Sequence, residues 1–240
     1  MSPRIPASRD AAAPSGRANR LLGGSLLALN AAFVLLTLAA MGTYPGGTWM
    51  EPERVGHSLW HNFLCDLLHT QSLNGGDNHV GAGLAQSAML LETLALTLLW
   101  WGAPLLYATR RSGARLTRAL GVTSACGVVA VVMLPSDRFG ALHGMAVVVA
   151  SGPAFAAALV CSYSLLQSGH RRAGSAGVGA LVVAVTSFVL YARAQYFGAT
   201  LTAVVPATQR VATLALIAFS VLVARDLLAH SQCRQHIASR

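Results

Sequence analysis

The chain is 240 residues long, 54% hydrophobic and only 10% charged, where soluble domains carry about 25% charged residues. That balance excludes an ordinary soluble globule and points to a membrane protein with several spans. The formal charge of +9 comes from seventeen arginines and no lysine. These arginines fall in short clusters between apolar runs, so they read as topology determinants and not as a nucleic-acid surface.

Residues 1–20 are rich in Pro, Ser, Ala and Arg, the composition of a disordered segment. The first apolar run covers residues 21–42. It exceeds the 7–15 apolar residues of a signal-peptide core and approaches the roughly 20 needed to cross a bilayer. An uncleaved span is expected, with cleavage after Leu38-Ala39-Ala40 as the alternative. A polar segment follows, 43–79, opening on the turn-forming Tyr44-Pro45-Gly46-Gly47. Its stretch Gly56 to Leu73 is compatible with an amphipathic helix that ends at Asn74-Gly75-Gly76-Asp77. Trp60, Phe63, Leu64, Leu67 and Leu68 would supply the apolar side of that helix, and Asn62, Asp66 and His69/Thr70 would share a polar face.

Five further spans are expected at about 80–101, 117–134, 141–166, 176–197 and 205–228, with a tail at 231–240. Trp100 and Trp101 read as an interfacial anchor, and Gly152-Pro153 as a kink in the fourth span. Ser175/Gly179 and Gly152/Ala156 have the small-xxx-small spacing of close helix packing. The arginines at 4, 9, 17, 20, 110, 111, 115, 118, 171, 172, 225, 234 and 240 all fall on one side of a six-span topology. The positive-inside rule makes that side cytoplasmic, with both termini inside and the 43–79 loop outside. An arginine-only basic set with abundant Ala, Gly, Leu and Val suits a GC-rich bacterial genome and hence a bacterial inner membrane. The expected fold is therefore all-α, a bundle of six transmembrane helices with an outer amphipathic helix between spans one and two. Cys65, Cys126, Cys161 and Cys233 show no CxxC spacing and read as free thiols.

The topology brings the 43–79 loop, the turn at Asp137 and the starts of spans four and six to one face. Asp66, among apolar neighbours, would have a raised pKa unless paired. It could serve as general base, metal ligand or histidine partner, or as a structural hydrogen-bond acceptor toward a helix end, Arg138 or Arg193. His57 and His61 stand at i, i+4, a spacing at which two imidazoles can share a zinc ion, with His143 or Asp66 as a third ligand. Zinc so held would activate water; solvated or carbonyl-capping histidines are the alternative. Ser136 or Asp137 is expected to cap the fourth span, and Asp137 also to orient the imidazole of His143. Glu92, deep in span two, should be neutral or paired, with Arg193 as a candidate partner. Gln209 and Arg210 at the start of span six are placed to bind a lipid phosphate or to mark the interface.

The run Asn62-Phe63-Leu64-Cys65-Asp66-Leu67, followed by Thr70 and Asn78 and later by Pro135, Asp137 and His143, resembles an uncharacterised family of six-span prokaryotic membrane proteins. That family's pattern is Asn-aromatic-x-Ser-Asp-Leu-Gly-x-Thr, with a later Pro-x-Asp…His; Cys65 and Leu68 replace its Ser and Gly. The resemblance favours Asn62, Asp66, Asp137 and His143 over His57 and His61. More distantly the layout is similar to the DRAM-like six-span proteins. Its Asp and His content is also similar to the alkaline ceramidase-like hydrolases, which have seven spans and an HxxxH in the last one that this chain lacks.

The leading expectation is an outward-facing pocket that handles a membrane lipid or lipid-linked substrate by metal-assisted hydrolysis. In it Asp66 and His143 would act as ligand or base, oriented by Asn62 and Asp137. The alternative is a non-enzymatic lipid-binding, transport or complex-stabilising protein in which the cluster locks the loop to the bundle. A transporter would need a continuous polar path, toward which only Glu92 points.

Overall fold

The computed structural model describes residues 16–107 and 110–238, with side chains described as far as Ser231. The disordered segment expected at 1–20 lies outside the described residues up to 15, and residues 16–20 already belong to the first helix. The long helices are α1 (Gly16–Thr43), α2 (His79–Gly102), α3 (Arg111–Met133), α5 (Ala141–Gln167), α6 (Arg171–Tyr196) and α7 (Val204–Ala238). A single turn, α4 (Ser136–Phe139), precedes α5. Among the described residues, six helices are long and apolar enough to cross a membrane. In lipid each must satisfy its own backbone, which an uninterrupted helix does. No helix end falls where the tail was expected to begin, because α7 continues to Ala238. Helix α5 likewise runs on through Pro153.

Helices adjacent in the chain pack side by side, and α7 returns to α1, which closes a ring in the order α1, α2, α3, α5, α6, α7. The arginine-rich ends of α1, α3, α6 and α7 share one end of this ring, and the segment 44–78 covers the other as a cap. At the arginine-rich end a core including Leu26, Leu99, Leu106, Tyr107, Leu165 and Leu227 fills the centre. The small-residue contacts that bring helices close are not those of the expected spacings, since a Cβ on Gly152 or Gly179 would meet nothing within 4 Å. Close approach occurs instead at Gly127, where a Cβ would lie 2.6 Å from the Ala150 Cα, and at Gly23, where it would lie 2.8 Å from the Ala224 carbonyl. Trp101 is exposed and stacks under Arg118 at 5.2 Å. Trp100 is no interfacial anchor: it is buried in the core, against Gly121.

The amphipathic helix expected over 56–73 does not form. The segment is irregular, with one 3₁₀ turn at Cys65–Leu68 and isolated bridges Gly46–Val55 and Gln71–Asp77. The cause is local competition for backbone groups. The Asn62 side chain accepts the Ser58 N–H, and the Asp66 carboxylate accepts the Phe63 N–H, so polar side chains replace helical carbonyls as partners. Gly56 adds a positive φ of 72° that turns the chain before the first would-be helical turn. Of the five expected apolar residues Leu64, Leu67 and Leu68 face inward and pack with Tyr44, Ala40 and Ala85 over the α1–α2 end, Phe63 is half-buried, and Trp60 is exposed.

Candidate functional site beneath the cap

Asp66 sits at the centre of the cap, 2% exposed. Its Oδ1 accepts the Trp49 indole N–H at 3.0 Å. Its Oδ2 accepts the Phe63 N–H at 2.8 Å and the Asn62 amide at 3.1 Å. Burial raises its pKa, and the bonds from Asn62, Trp49 and Phe63 act in the opposite direction. Asn62, fully buried, also donates to the Gly47 carbonyl at 2.8 Å. The two residues therefore tie three stretches of the cap together. The partners of Asp66 come from the cap itself, not from Arg138, Arg193 or a helix end.

Three helix starts hold the cap in place. At the α2 start, the N-cap residue Asn78 donates to the carbonyls of Leu67 and His69. From the α4 turn, Ser136 bonds His69 Nε2 at 2.7 Å and Arg138 donates to Thr70 at 2.9 Å. From α7, Gln209 accepts the Leu64 N–H at 2.8 Å, and Arg210 donates to the carbonyls of Leu59 and Asn62 at 3.1 and 3.0 Å. The latter two bonds are charge-assisted, among the stronger ones available to a buried backbone. Ser136 and Asp137 do not cap the helix by side-chain bonds; Ser136 is engaged by His69, and Asp137 is exposed.

Beneath the cap lies a pocket of about 240 Å³ that sets the polar groups of Asp66, His143, Ser136, Gln195, Gln209 and Tyr191 among apolar residues such as Phe63, Val147 and Leu201. His143 is oriented by the Leu134 carbonyl, to which its Nδ1 donates at 2.7 Å, and not by Asp137. Cys65 also lines the pocket, and burial pushes its thiol up to about 12. It stays protonated near neutral pH and is a poor nucleophile. A second cavity, about 290 Å³ and mostly apolar, lies inside the ring among α2, α3, α5, α6 and α7. Phe63, Val147, Tyr191 and Gln209 line both, so the two chambers share a wall. The rings of Phe63 and Tyr191 meet edge to face there, centroids 6.1 Å apart.

The expected zinc triad is not assembled. His57 Nε2 lies 3.3 Å from Arg210 Nη2, a cationic neighbour that disfavours a second cation, and His61 Nδ1 bonds Ser58. Burial, and after it the Arg210 charge, lower the His57 pKa to about 4. Among the described residues no three His, Cys, Asp or Glu side chains converge as a metal site. Arg210 is occupied by the cap, 5% exposed, and is not placed as a phosphate receptor at the interface. Arg193 is exposed at the end of α6 and forms no ion pair with Glu92 or Asp66 among the described residues. Glu92 has a carboxylate oxygen buried without a partner.

The structure thus gathers Asp66, His143 and Gln209 around one pocket, with Asn62 behind Asp66. It leaves His57, His61, Asp137, Glu92, Arg193 and Arg210 outside the pocket lining. Trp49, His69, Tyr191 and Gln195 join the site or its frame beyond the residues that the sequence points to. His69 carried a signal, its place on the Asn62–Asp66 face; Trp49, Tyr191 and Gln195 carried none, because only the fold brings them near. No protein family, curated protein or solved structure matches this chain.

Proposed function

We propose that this protein resides in the plasma (inner) membrane with its cap facing outward and both termini cytoplasmic, and that it binds a lipid or lipid-linked amphiphile. The observation that carries the reading is the lining shared by two chambers, an upper one that bears a cluster of polar side chains and a lower one that is mostly apolar. A molecule with a polar head and an aliphatic tail matches that pair, whereas a soluble metabolite would leave the lower chamber unmatched. The packed core at the arginine-rich end closes the ring there, which favours binding over passage through the bundle. The arginine distribution supports the orientation.

The alternative within the same pocket is hydrolysis of the bound lipid, favoured by the convergence of Asp66 and His143 on it. Against a base role for Asp66 stands its full set of cap donors. The Asp66–Asn62 knot therefore serves to hold the roof of the pocket. A lipid carrying a photoactivatable group in its acyl chain tests the binding reading. Cross-links should fall on inward residues such as Ala154, Ala158 and Ala184. Labelling confined to lipid-facing residues such as Val149, Leu159 and Val182 would count against it.

A further inference from the structure

Resting on that reading, we infer that the ligand is a single-chain amphiphile with an uncharged, hydroxyl- or amide-bearing head, and that phosphate-bearing lipids are excluded. Tail number follows from space. The apolar chamber, about 290 Å³, is at the lower edge of ligand cavities, which run about 300–1,000 Å³. Its lining from α5 and α6 is rich in small residues, among them Ala154 and Ala158 of α5 and Gly177, Ala180 and Ala184 of α6. That is a slot for one aliphatic chain and lacks room for the paired chains of a diacyl lipid.

Head chemistry follows from what lines the upper pocket. Its polar lining includes the Asp66 carboxylate, the carboxamides of Gln195 and Gln209, the Ser136 and Tyr191 hydroxyls and the His143 ring, and it holds no arginine; the chain has no lysine. No guanidinium lines the pocket: Arg210 reaches cap carbonyls through Nε and Nη2, with Nη1 buried and unpartnered, its charge already set against the buried Asp66 carboxylate; Arg138 bonds Thr70, and Arg193 is exposed outside the lining. A phosphate brought here would lose its water, meet no arginine or lysine and stand beside a carboxylate, a costly arrangement. A neutral head meets usable partners instead. Gln209 uses its Oε1 on Leu64 while its amide nitrogen makes no hydrogen bond among the described residues, and Gln195 is likewise unengaged.

The test uses the full chain in phosphatidylcholine nanodiscs, loaded with monoolein, with oleoyl lysophosphatidate or with dioleoylglycerol, and read by native mass spectrometry of the released protein. Monoolein should be retained about tenfold more than lysophosphatidate, whose phosphate would meet the Asp66 carboxylate with no cation in the lining. It should also be retained well above dioleoylglycerol. The exposed pocket residue Gln195 offers a gain-of-function variant: Gln195→Arg should raise lysophosphatidate retention. Equal retention of dioleoylglycerol and monoolein overturns the single-chain assignment. Lysophosphatidate held as well as monoolein by the unaltered protein overturns the uncharged head, while lipid binding itself stands. Retention of none of the three overturns the lipid-binding reading on which this inference rests.

Discussion

The bundle and its cap are held together by different forces. In the ring, helices meet through small residues and apolar side chains, as where Gly127 admits Ala150 and Gly23 admits the Ala224 carbonyl. Side-chain bonds between its helices are sparse: Asn30 donates to Ser220 at 3.0 Å, and His170 bonds Asp226 at 2.8 Å. The cap inverts this. Its irregular backbone cannot satisfy itself, so buried Asn62, Asp66, His69, Asn78 and Arg210 take over as partners. The bundle therefore tolerates the loss of a polar side chain better than the cap does, and the polar contacts that fold the cap also shape the pocket below it.

The sharpest way to break this contrast is Asp66→Ala. It removes the acceptor of three donors and should cost the cap about 3 kcal/mol. Hydrogen exchange of the 58–70 amides should accelerate about a hundredfold, while the helices keep their protection. Equal acceleration in α3 and α5 would show that cap and bundle open as one unit. Next in size is Arg210→Ala, which strips the charge-assisted bonds to Leu59 and Asn62 and should cost about 2 kcal/mol. Arg210→Lys should recover only part of it, because an ammonium cannot present the same planar fork.

The bundle was legible from the sequence because its physics is compositional. Apolar length sets the spans, and arginine placement sets which connections share an end. The cap is not legible in this way, because Gly56 to Leu73 has helical spacing, yet Asp66 takes the Phe63 N–H and Arg210 the Leu59 carbonyl that a helix would pair with each other. Asp66, His143 and Gln209 were found because ionisable and amide groups stand out against an apolar chain. Their partners were not: Trp49 and the Leu134 carbonyl meet them only through tertiary folding. The histidine pair at i, i+4 lost its meaning once the helix carrying that spacing was absent.

A smaller, pH-dependent effect sharpens the contrast further. A histidine in an unfolded chain titrates near 6.5, while His57 in the cap is held down to about 4. Between those values the unfolded cap binds the extra proton, so His57's contribution is full above about pH 6.5 and is lost as pH falls toward 4. Asp66, with its pKa raised by burial, contributes the opposite slope, stabilising at low pH and less as pH rises through its folded pKa. Replacing His57 by Gln isolates the histidine. Cap protection factors, taken relative to the intrinsic exchange rate at each pH, should fall between pH 6.5 and 4 in the unaltered protein and fall less in His57→Gln; identical profiles would contradict the burial of a neutral imidazole. The smallest effect belongs to the bundle. Asn30→Ala should cost only about 1 kcal/mol and leave cap exchange unchanged.

The most direct measurement is of the lipid that accompanies the protein through purification. The protein and its Ala184→Phe variant, which fills the apolar chamber where Ala184 lines it, would be purified alike and their bound lipids extracted and quantified against protein. The account predicts about one single-chain lipid per chain in the unaltered protein and a marked loss in a variant that remains folded. The same lipid content in both proteins, or none in either, would contradict it.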